Sequence, residues 1–198
     1  MVCDFSLEKG VYIRPPDTSY PTHISYVNEN GFLGGFFGEK RPLLDIEISH
    51  LGTNIEVYNV GKTLLLGFSQ VAQSEKLRDH FKKGYEINKK HVTLFLDILK
   101  ENDTSYPYTW DSGITESTKA PFSDKLLLFH TNMIGASGVA DYGTAISASI
   151  RKDLGVNYSR LLETTQYLND GAKLLIKNGW MEKPPSSLDR DELKNKPR

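Results

Sequence analysis

The sequence lacks the features that define several large classes of protein. Cys3 is the only cysteine among 198 residues, so neither an intrachain disulfide nor a cluster of metal-binding thiolates can form. No apolar run approaches the roughly 20 residues of a membrane-spanning helix, and the N-terminus has no signal-peptide pattern. Lysine and arginine number 24 against 25 acidic residues, so no net positive charge attracts nucleic acid. We therefore predict a cytoplasmic protein without a nucleic-acid or membrane partner.

Four long segments carry the start and stop signals of helices. Pro42 suits a first helical turn, where its missing N–H costs nothing, and Ser74 can cap a second helix. Gly179 is placed to end the last one. The predicted helices cover about residues 42–73, 75–100, 123–150 and 153–178. Because a chain of this length suits one core, we predict an all-α fold, an antiparallel four-helix bundle.

Similar turn sequences stand near the two ends of the chain. Residues 9–16 and 178–185 share the pattern Gly-x4-Pro-Pro, with Gly10 aligned on Gly179. In both, glycine can end a helix and the prolines prevent its continuation. We interpret the first as the end of an earlier repeat, although two coincidental helix ends would look the same. The predicted organisation is an N-terminal segment over 1–41, the bundle over 42–180 and a charged, proline-rich tail over 181–198.

Helical rotation predicts which polar side chains enter the core. On the first helix, Glu47, His50 and Asn54 share a face with the apolar residues. On the second, His91 falls on the apolar face. On the third, His130 shares its side with four apolar residues that we expect to point inward: Leu126, Phe129, Met133 and Ala140.

These inward groups suggest a metal site. If the helices alternate up and down, His50, His91 and His130 lie at similar heights, about 11 to 14 Å from one end, and they can converge with Glu47. Such ligands suit a single divalent ion, zinc, nickel or iron. The alternative is a buried hydrogen-bonded network that fixes the helix register. The connection over 102–121 is long enough to reverse the third helix, and His130 would then leave the cluster.

The other candidates for ligands are less favourable. His23 and His80 are expected in a loop or at the rim of the bundle. Neither the second nor the fourth helix offers a second inward Glu-x-x-His, which disfavours a di-iron centre.

Several separated motifs resemble those of a known family. They are residues 38–43 (GEKRPL), 47–51 (EISHL), 67–72 (GFSQVA), 109–112 (TWDS), 121–125 (PFSDK) and 178–182 (NGWME). The chain resembles an uncharacterised family of spore-forming Gram-positive bacteria related to spore coat protein F. The resemblance implies a ferritin-like bundle, usually in two tandem repeats of which this chain matches the second, and a connection with the spore. It brings no established activity.

Two functions follow from these observations. The first is a noncatalytic structural or interaction protein of the spore or its coat, with copies of itself or spore-coat proteins as partners. The alternative is a metal-dependent enzyme that uses the histidine-rich site in the bundle core.

Overall fold

Helices account for all the regular secondary structure that the computed structural model describes. It describes residues 8–9, 22–24, 26–27, 30–34, 40–104, 111–161, 164–190 and 194. The α-helices are α1 (Asp45–Val71), α2 (Glu75–Glu101), α3 (Asp124–Ala148), α4 (Lys152–Arg160) and α5 (Thr164–Lys177). Short 3-10 helices cover Asn30–Leu33 and Asp111–Gly113. The prediction of an all-helical protein is confirmed.

Local hydrogen bonds explain where the first helices begin and end. The Leu44 backbone N–H donates to Glu47 Oε2 at 2.9 Å, so α1 begins three residues after Pro42. Ser74 precedes α2, but its hydroxyl caps no backbone N–H. Instead, the Asp124 carboxylate accepts the N–H groups of Gln73 and Ser74, at 3.0 and 2.9 Å. The start of α3 therefore holds the turn between α1 and α2.

The predicted fourth helix is divided into two. α4 ends at Arg160 and α5 begins at Thr164. Gly179 has a φ of 67°, and the Trp180 N–H donates to the Leu175 carbonyl at 2.9 Å. This left-handed residue ends α5 as predicted. Gly10, its counterpart in the repeat prediction, lies outside the described residues.

Contacts along the helices fix their directions. The Tyr58 ring of α1 lies 5.1 Å from that of His91 in α2, whereas Leu65 lies beside Gly84, so α1 and α2 run in opposite directions. Tyr58 also stacks on Tyr142, whereas Phe68 lies near His130, so α3 too runs opposite to α1. α2 and α3 are consequently parallel. The expected strict alternation of directions is wrong, because the connection over 102–123 returns the chain along the bundle.

α4 and α5 follow one another along α3 in the reverse direction. Tyr158 of α4 lies 5.8 Å from Tyr142. Further along, Leu168 of α5 packs over Gly135 of α3. The two short helices thus take the place of the fourth.

The buried face of α3 differs from the predicted one. Its buried residues are Leu127, Leu128, Thr131, Gly138, Tyr142 and Ala145. The predicted face is exposed, with Leu126, Phe129 and Met133 at 47%, 52% and 56%. The prediction fails because the apolar residues of α3 are spread around its whole circumference, and periodicity then selects no single face.

Candidate functional site

Glu47 is the centre of a buried polar network at one end of the bundle. Its side chain is fully buried and accepts hydrogen bonds from both terminal guanidinium nitrogens of Arg41, at 2.8 and 2.9 Å. It also accepts backbone N–H groups from Leu44, Ile150 and Arg151, at 2.9, 3.2 and 3.1 Å. Donors therefore surround both carboxylate oxygens. This geometry makes Glu47 a structural acceptor that joins the residues just before α1 (Arg41 and Leu44), α1 itself and the α3–α4 turn.

Arg151 forms the second half of this network, which we call the Glu47–Arg151 clasp. Its side chain is buried, and its Nε and one terminal nitrogen donate to the two oxygens of Asp153 at 2.8 and 3.1 Å. Its other terminal nitrogen donates to the Arg41 carbonyl at 3.1 Å. Lys40 approaches Asp153 at 3.7 Å. Each buried charge thus faces an opposite charge, which offsets its desolvation.

The clasp changes the ionisation of its carboxyl group. Burial alone would raise the pKa of Glu47, but the hydrogen bonds from Arg41, Leu44 and Arg151 outweigh burial and lower that pKa. Glu47 is therefore ionised throughout the neutral range.

His91 belongs to a separate aromatic cluster in the middle of the bundle. It is fully buried, as predicted, and its Nδ1 lies 2.6 Å from the Tyr142 hydroxyl. The Tyr142 ring stacks on Tyr58 at 5.1 Å, and Phe95 and Tyr158 close the cluster. Burial raises the pKa of Tyr142, so its hydroxyl stays protonated and can donate to the imidazole. The hydrogen bond couples α2 to α3.

The structure does not bring the four predicted metal ligands together. His91 lies at the same height in the bundle as Tyr58. Along α1, Tyr58 is about 16 Å from Glu47 and about 12 Å from His50. His50 is half-buried, and His130 is exposed beside Phe68, toward the opposite end. Over the described part of the chain, no three His, Cys, Asp or Glu side chains are arranged to hold a metal ion. The metal site stays a prediction, and the described geometry supplies no set of ligands for it.

His80 occupies the core, contrary to its predicted place at the rim. It is 7% exposed, and its ring stacks on Tyr167 of α5 at 4.3 Å. Burial lowers the pKa of His80 to about 4, and Lys83 lowers it further while Asp170 opposes this effect. The sequence signal for a buried His80 is its position on α2, one turn before Gly84. Gly84 has no side chain and so leaves room for the Tyr167 hydroxyl.

The outer face of α3 is the third distinctive feature. We call Leu126, Phe129 and Met133 the α3 patch; all three are about half exposed. No charged residue stands between Lys125 and Asp141 along this helix. None of the helices in the described ranges is long and apolar enough to cross a membrane. Because its three apolar side chains lie exposed on one face of α3, the α3 patch is a candidate contact surface.

Comparison with known proteins gives the family and the fold. Residues 31–193 match the model of a family described as a protein of unknown function, DUF3231. The chain belongs to this family. No curated protein matches the sequence.

One solved structure supports the same fold. It is the crystal structure of a Bacillus halodurans protein with the provisional description of spore coat protein, 20% identical in sequence. The match covers 75% of this chain and 98% of that protein, with a TM-score of 0.68. At this identity the likeness establishes the helical fold alone.

Proposed function

We propose that this chain is a noncatalytic structural protein that assembles with copies of itself during formation of the spore or its coat. The provisional description of the Bacillus halodurans relative supports the link with the spore. The family description supplies no reaction. The expected locations are the cytoplasm, where the protein is made, and the spore.

We also infer a ferritin-like arrangement of the bundle. The directions are α1 up, α2 down, α3 down, and α4 with α5 up. A bundle with one long crossover between its second and third helices has this order, and ferritin-like folds are the known example. The ion pair between Lys62 and Asp111, at 2.7 Å, fastens the crossover to α1 and supports the assignment.

The α3 patch is the observation that carries the proposed self-assembly. Apolar area buried in a contact stabilises association, whereas the absence of charge means that no opposite charge is required on the partner. A second copy presents the same uncharged face. Two copies can therefore pack these faces together across a two-fold axis, as in most homodimers.

Sedimentation velocity of the full chain tests the self-assembly. We expect a dimer or larger species for the wild type and a monomer for the double variant Phe129→Glu with Met133→Glu, with unchanged helical circular dichroism. The control is Ile46→Glu, which places the same charge at a 50% exposed apolar position on α1. It should leave the assembly intact. A wild-type protein that stays monomeric at about 100 µM, well above common dimer dissociation constants, would refute self-assembly.

The link with the spore is tested separately in a sporulating host. Deletion of the gene should change the coat or slow germination, and a fluorescent fusion should collect at the spore. A normal coat with unchanged germination would contradict this part of the proposal while leaving the sedimentation result valid.

A further inference from the structure

We propose that the bundle contains a binding site for one or two water molecules between α1, α2, α3 and α5. The site is a partly enclosed cavity of about 30 Å³. A cavity of roughly 10 to 15 Å³ is large enough for one water molecule. Its apolar wall includes Val57, Leu64 and Leu65, and its polar wall includes Asn88 and Tyr167.

Three hydroxyl groups at this cavity need a partner. The hydroxyls of Tyr58, Thr164 and Tyr167 are buried and have no hydrogen-bond partner among the described residues. All three residues are 4% exposed, and all three line the cavity. Buried hydroxyls are nearly always hydrogen-bonded, either to protein or to ordered water. The adjoining cavity is the place from which water can reach them.

Further hydrogen-bonding groups complete the site. The Thr131 hydroxyl donates to the Leu127 carbonyl at 2.9 Å, so its oxygen can still accept a hydrogen bond. The Asn88 amide nitrogen donates to the Gly84 carbonyl at 2.8 Å, which leaves the amide oxygen as a second acceptor. With Thr164 and Tyr167, these groups supply the two to four partners that a buried water requires.

The chemistry of the lining defines the class of ligand. Among the described residues, the lining includes no carboxylate, ammonium, guanidinium or imidazole group, so those residues would leave an ion uncompensated. The cavity volume of about 30 Å³ suits one or two water molecules. Two glycines of the lining let polar side chains of the site pack closely: a Cβ on Gly61 would lie 2.7 Å from Asn88 Oδ1, and one on Gly138 would lie 2.5 Å from the Tyr58 hydroxyl. Water is the neutral donor and acceptor that fits.

Water-selective NMR on the full chain tests this site directly. Rotating-frame Overhauser transfer should connect long-lived water with the Thr164 methyl protons. Oxygen-17 relaxation dispersion of the wild type should show one or two more long-lived waters than the double variant Thr164→Val with Tyr167→Phe. The matched control is Tyr158→Phe, because the Tyr158 hydroxyl is also buried and has no partner in the described part of the chain, but Tyr158 does not line the cavity. This control should retain the waters of the site.

Three results would overturn the proposal. They are the absence of Overhauser transfer to Thr164 in the folded wild type, an equal water count in the wild type and the double variant, and a retained small molecule that native mass spectrometry detects. The first measurement uses the unaltered protein, so it decides the question even if the double variant does not fold.

Discussion

Replacement of Glu47 by glutamine should show how strongly the Glu47–Arg151 clasp stabilises the fold. The amide keeps the shape of the side chain, but its NH2 group must face donors whichever way it turns. If the NH2 replaces Oε2, it meets Arg41 and the Leu44 N–H; if it replaces Oε1, it meets Arg41, Ile150 and Arg151. At least two hydrogen bonds to a charged acceptor are lost, each contributing about 1.5 to 3 kcal/mol.

The expected loss of stability is therefore about 3 to 5 kcal/mol, the range for a buried ion pair that loses one partner. Such a loss is a large fraction of the roughly 5 to 15 kcal/mol that stabilises a typical domain. Urea unfolding followed by helical circular dichroism measures it. The control is Glu56→Gln, because Glu56 is exposed on the same helix and forms no ion pair within the described residues. A loss of less than about 1 kcal/mol for Glu47→Gln, near the value for a surface substitution, would refute the argument.

The same variant should alter the response to acid. The pKa of Glu47 is lowered in the folded state from its ordinary value of 4.5. The unfolded chain therefore binds a proton at a higher pH than the folded chain does, and stability falls as the pH drops below 4.5 toward the folded pKa. Glu47→Gln removes this contribution, so its free energy of unfolding should depend less on pH below 4.5. Identical slopes for the two proteins would show that the clasp does not lower this pKa.

Two further predictions concern the core. The pKa of His80 is about 4 in the folded protein against an ordinary 6.5. The free energy of unfolding should therefore fall by up to about 3 kcal/mol as the pH drops from 6.5 to 4. In urea unfolding, His80→Phe should remove this pH dependence. Gly138→Ala should destabilise by about 1 to 3 kcal/mol, because its Cβ would meet the Tyr58 hydroxyl at 2.5 Å. Gly52→Ala, which meets nothing within 4 Å in α1, should instead stabilise by about 0.5 to 1 kcal/mol. Thermal unfolding of both variants measures the two effects. Equal shifts in their unfolding temperatures would contradict the expected difference between the two glycines.

Helix ends were the most predictable part of the fold. α2 was expected over 75–100 and is observed over Glu75–Glu101, because a turn with Ser74 and a strongly amphipathic pattern mark it locally. Gly179 ended the last helix as expected, since its left-handed backbone is a local property. The face of α3 could not be predicted in this way. Its apolar residues point in every direction around the helix, so burial depends on which neighbours surround it.

The site was predictable only where one helix decides the outcome. Glu47 and His91 are buried as helical rotation indicated, because each lies on a helix with a defined apolar face. Their separation depends on the register between α1 and α2, and no single helix contains that information. The position of His130 also could not be predicted from one helix. Its height in the bundle depends on the direction of α3 and therefore on the crossover.

The Glu47–Arg151 clasp combines a local signal with a distant one. A buried carboxylate requires a cation, and Arg41 is a nearby one, six residues before Glu47 in the sequence. The backbone donors Ile150 and Arg151 come from more than 100 residues away, and they arrive because α3 ends where α1 begins. The crossover that reverses α3 thus completes the set of hydrogen-bond donors around Glu47. The same reversal removes His130 from that end, so the topology that supports the clasp also separates the predicted metal ligands.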